Sequence, residues 1–73
     1  MRTIAELRAE ERRILEKFNA RAEGIRETNP RVSREKARTL AMMQMPVCSR
    51  KYASVRGTLT SYGVAPMLFD EIE

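Results

Sequence analysis

The sequence predicts an all-α fold, a small single-domain bundle of about three helices with a short C-terminal turn. Three observations carry that expectation. Apolar residues in the first third recur at helical spacing, Pro and Gly punctuate the chain at three joints, and 73 residues leave room for one domain spanning 1–73. The core is thin: Ile, Leu, Val and Phe total 15, with Ala supplying eight residues and Met five. A chain this small and this charged folds marginally, or gains burial from a partner.

The first element is the clearest. Thr3 followed by Glu6 matches a capping box. Ile4, Leu7, Ile14, Leu15, Phe18, Ala22 and Ile25 then fall within one arc of a helix. Gly24 is the expected C-cap, and Asn29 before Pro30 resists helical continuation. Ile4, Leu7, Ile14, Leu15 and Phe18 form a stripe for core packing or protein interaction. Glu11 interrupts it. Since Glu is almost never fully buried unpaired, this stretch of the face is expected to meet solvent. The alternative is a polar register key in a helix pair, with Arg8 as the local cation.

The second element runs from Asn29 to Met45. Asn29 caps it with Pro30 at the first helical position, or Ser33 caps a shorter helix. Arg31, Arg34 and Arg38 share one face at spacings of three and four, with Ala37, Leu40 and Ala41 on another. Pro46 stops the helix. Residues 49–62 are read as a helix capped by Ser49, with Tyr52, Val55, Leu59 and Tyr62 as its stripe and Gly63 as C-cap. Their Val, Thr and Tyr content also allows an extended segment, against which Gly57 argues. Pro66 opens the final turn, in which Leu68, Phe69 and Ile72 share a side.

Composition excludes most chemistry. With no His, the commonest general base and metal ligand is missing, and a lone Cys48 makes neither a zinc site nor a Cys–His dyad. The three glycines are isolated, so no Gly-rich phosphate loop exists. No enzyme, metal or cofactor is expected. Cys48 precedes Arg50 and Lys51, an environment that favours a thiolate, yet a small buried hydrophobe is the preferred reading. Met42, Met43 and Met45 cannot all point the same way on a helix, so at least one is expected on the surface. One cysteine and no apolar run of membrane length indicate a cytoplasmic protein without a membrane partner.

Charge distribution is the one positive functional signal. Residues 1–30 carry seven cations and six acids, and residues 57–73 carry only Asp70, Glu71 and Glu73. Residues 31–56 carry seven cations against Glu35 alone. Such a field attracts phosphate backbones or an acidic protein surface. Arg31, Arg34, Arg38, Arg50, Lys51 and Arg56 are the expected contacts for nucleic acid or an anionic partner. Tyr52 stands beside them, and helix N-termini near Ser33 and Ser49 add backbone donors. A helix-turn-helix around Gly63 fails, because 66–73 is short, acidic and lacks base-reading side chains. The expected function is a small regulator of transcription or of similar nucleic-acid transactions. It binds nucleic acid or machinery that handles it, such as RNA polymerase. The alternative is an assembly protein that forms a homo-oligomer or docks through the N-terminal helix.

Overall fold

The computed structural model describes residues 2–67. They form three helices: α1 (Ile4–Thr28), α2 (Arg34–Gln44) and α3 (Pro46–Ser61). No strand occurs among the described residues, so 49–62 takes the helical alternative. The chain is a small all-α unit, as its periodicity predicts.

Thr3 caps α1 as expected, its Oγ1 accepting from the Glu6 amide at 3.1 Å while its hydroxyl donates to Glu6 Oε1 at 3.2 Å. The helix does not end at Gly24. It runs on to Thr28, and the Asn29 amide closes it onto the Ile25 carbonyl at 2.9 Å. Gly24 costs a helix interior only about 1 kcal/mol, which Ala22 and Ile25 packing on either side of it outweighs. Ser33, rather than Asn29, caps α2 and accepts from the Lys36 amide at 3.1 Å.

The start of α3 also differs from expectation. Pro46 opens it, since proline lacks the amide that a first turn leaves unused. Ser49 therefore lies inside the helix, where its hydroxyl donates to the Met42 carbonyl at 2.7 Å and ties α3 to the end of α2. At the far end Gly63, at φ 75°, donates to the Thr60 carbonyl at 2.9 Å, and the Val64 amide to Leu59 at 3.0 Å. That pair of bonds is a Schellman cap, and the Gly63 expectation holds. Residues 64–67 are not helical, and the turn expected to open at Pro66 has its remainder, with Leu68, Phe69 and Ile72, outside the described residues.

Only Met45 separates α2 from α3, so the two helices form one return arm packed along α1. The result measures 42 × 22 × 15 Å, little longer than α1 itself at roughly 1.5 Å per residue. Ala22, Ala37 and Ala41, with Ile25 and Val32 beside them, form a small-residue seam between α1 and α2. Leu7, Ile14, Leu15 and Phe18 pack against Val55 and Leu59 at the other end. Phe18, Leu15 and Leu59 are wholly buried and contribute about 1.5–3 kcal/mol each. Tyr52 meets Phe18 edge-on, centroids 6.1 Å apart. Ile4 stands apart from its stripe at 46% exposure, and Tyr62 is 48% exposed rather than packed. Met42, Met45 and Cys48 lean on the core while Met43 faces out, as expected for a run of methionines.

Glu11 overturns the expectation of a solvated position: its exposure is 0%. Its carboxylate accepts from Arg8 at 2.7 Å and from Arg56 at 2.8 Å, with the Met67 amide at 3.5 Å. The local cation was readable from spacing; the second, on α3, was not.

Candidate anion-binding surface

The cations of 31–56 do not form one patch. Arg31 sits in the turn before α2, so it does not share a helical face with Arg34 and Arg38. Arg34 begins α2 and is exposed. Arg38 is half-buried, its Nε donating to Asn19 Oδ1 of α1 at 3.0 Å. Arg50 and Lys51 are exposed on α3.

Arg56 serves the fold. It is 12% exposed, and besides Glu11 it donates to the Val64 carbonyl at 3.0 Å and to Thr60 Oγ1 at 3.3 Å. Lys51 and Arg56 are five positions apart, about 140° around a helix, so they emerge on opposite flanks of α3. Tyr52 also turns inward. Burial and the nearby Glu11 carboxylate raise its phenol above the ordinary value, with Arg56 acting the other way. Its ring packs edge-on against Phe18 rather than standing as a stacking platform beside Arg50 and Lys51. The Ser49 amide is spent on the Met45 carbonyl at 2.9 Å, so the N-terminus of α3 lies at Pro46 and not at Ser49.

Tertiary structure brings Lys51 to two cations that sequence reasoning passed over. Glu10, Arg13, Ile14 and Lys17 of α1 line, with Lys51, a surface depression of about 300 Å³. Arg13, Lys17 and Arg21 recur every four residues along this flank of α1, a signal present in the sequence but hidden by the balanced charge of residues 1–30. Arg21 marks the next step of the seam, its Nε donating to Gln44 Oε1 of α2 at 2.8 Å. A second depression, lined by Glu23, Arg26, Glu27 and Pro30, carries two acids and has the wrong sign for phosphate.

Of the stripe read as core packing or protein interaction, Leu7, Ile14, Leu15 and Phe18 belong to the core, and Ile4 is exposed. Among the described residues no group of side chains could hold a metal ion, and no helix is long and apolar enough to cross a membrane.

No family model matches the chain, and no curated protein or solved structure matches it. The fold and surface define it as a small three-helix, all-α protein whose cations divide between an internal ion network and an outward-facing set.

Proposed function

We propose that this protein is a small non-enzymatic regulator that binds nucleic acid through its exposed cations. The observation that supports this reading is the charge segregation. Within 31–56, Arg31, Arg34, Lys36, Arg50 and Lys51 are exposed against one acid, Glu35. Arg38 and Arg56 serve the fold instead, and Lys51 joins Arg13 and Lys17 of α1. An excess of exposed cations on a helical frame, even divided between two helices, attracts phosphates at long range and holds them by Lys and Arg contacts. The assembly alternative lacks a comparable basis, because the α1 stripe it relied on is consumed by the intramolecular core.

The test is a fluorescence-anisotropy titration of labelled duplex DNA and single-stranded RNA at three salt concentrations. Micromolar or tighter binding is expected, weakening linearly with the logarithm of salt. No binding at low salt would transfer the cations to an acidic protein surface, for which RNA polymerase is one candidate in a cytoplasmic setting.

A further inference from the structure

The two flanks of the seam between α1 and the return arm differ in what their cations do. On one flank Arg8 and Arg56 are bound to Glu11, and Arg38 to Asn19. On the other, Arg13, Lys17 and Lys51 are exposed and make no ion pair among the described residues. The carboxylate in their depression, Glu10, is already paired with Arg2. Ile14, 4% exposed, makes the floor apolar. Three cations from two helices thus surround a concave site whose one acid is neutralised from within.

We propose that this seam, with Arg13, Lys17 and Lys51 as contacts, is where the phosphodiester backbone of a nucleic acid is held. Arg21 lies one step further along the same flank. The inference rests on the nucleic-acid reading above and adds two α1 residues outside the basic segment as direct contacts. Successive α1 cations four residues apart are separated by about 6 Å along the axis, so they address successive positions of a strand laid along the seam. Arg31, Arg34 and Arg50 then contribute long-range attraction without direct contact.

Two triple variants with equal charge loss separate these roles: Arg13→Gln, Lys17→Gln, Lys51→Gln at the seam, and Arg31→Gln, Arg34→Gln, Arg50→Gln away from it. Both are checked for folding by circular dichroism and titrated with the same single-stranded RNA and duplex DNA. The seam variant should lose at least about tenfold in affinity and flatten the salt slope by about 2–3, as expected for three lost phosphate contacts. The control should lose less and keep its slope. Comparison of the two probes shows whether the backbone held is that of a single strand or a duplex. Wild-type binding that survives in the seam variant, or falls equally in the control, overturns the seam assignment alone. A wild-type protein that binds neither probe at low salt overturns the functional reading together with it.

Discussion

Glu11 Oε2 of α1 accepts a hydrogen bond from Arg56 Nη1 of α3 at 2.8 Å, joining residues 45 positions apart. Burying a carboxylate is costly unless its lone pairs are satisfied, and here Arg8 fills the other oxygen. Arg56 passes the constraint on, because its second nitrogen holds the Val64 carbonyl just beyond the Schellman cap. One ion network therefore fixes α1, α3 and the chain leaving α3.

Breaking this pair should be severe. Glu11→Gln leaves Arg56 without its counter-ion, and Arg56→Gln leaves the buried carboxylate to Arg8 alone; a loss of about 3 kcal/mol is expected in chemical denaturation. Replacing both by Leu should recover part of that loss, since the buried charges are removed together and only Arg8, 34% exposed, loses its partner. Single variants as stable as the wild type would show that the pair does not hold the helices together.

Among the described residues Phe18 is the largest wholly buried side chain, and it is the edge-on partner of Tyr52. Phe18→Ala should cost about 3–5 kcal/mol, enough to unfold a domain of this size. Retention of a cooperative thermal transition near the wild-type midpoint would contradict the packing described.

The glycines should respond in opposite directions. Gly24 and Gly57 lie inside helices with nothing within 4 Å of an added Cβ, so Ala at either should stabilise by about 0.5–1 kcal/mol. Gly63 has equal space but a φ of 75°, and Gly63→Ala should destabilise by about 1–2 kcal/mol. Thermal midpoints of the three variants test the sign of each effect.

Tyr52 predicts an alkaline limit to stability. Burial raises its phenol above the ordinary value of 10.0, with the Glu11 carboxylate adding to the shift. The unfolded chain then loses the proton first. Its contribution is fully present below pH 10 and is lost as pH rises from there through the raised folded value. Tyr52→Phe removes the ionisation, so the fall in thermal midpoint above pH 10 should be shallower than in the wild type. Parallel profiles would exclude Tyr52 as a source of the effect.

The sequence by itself determined the helices and much of their punctuation. Thr3, Ser33 and Gly63 act through bonds spanning a few residues, and the α1 stripe follows from a local period of 3.6. Local signals misplaced the end of α1 and the start of α3, where packing outweighed a glycine and proline fitted a first turn. Charge is where sequence reading stopped short. Counting cations along 31–56 identified a basic segment but not that Arg56 faces Glu11 while Lys51 faces Arg13 and Lys17. That division depends on which flank of α3 meets which flank of α1. The packing of Val55 and Leu59 against Leu15 and Phe18 sets this rotation, and only the tertiary structure decides it.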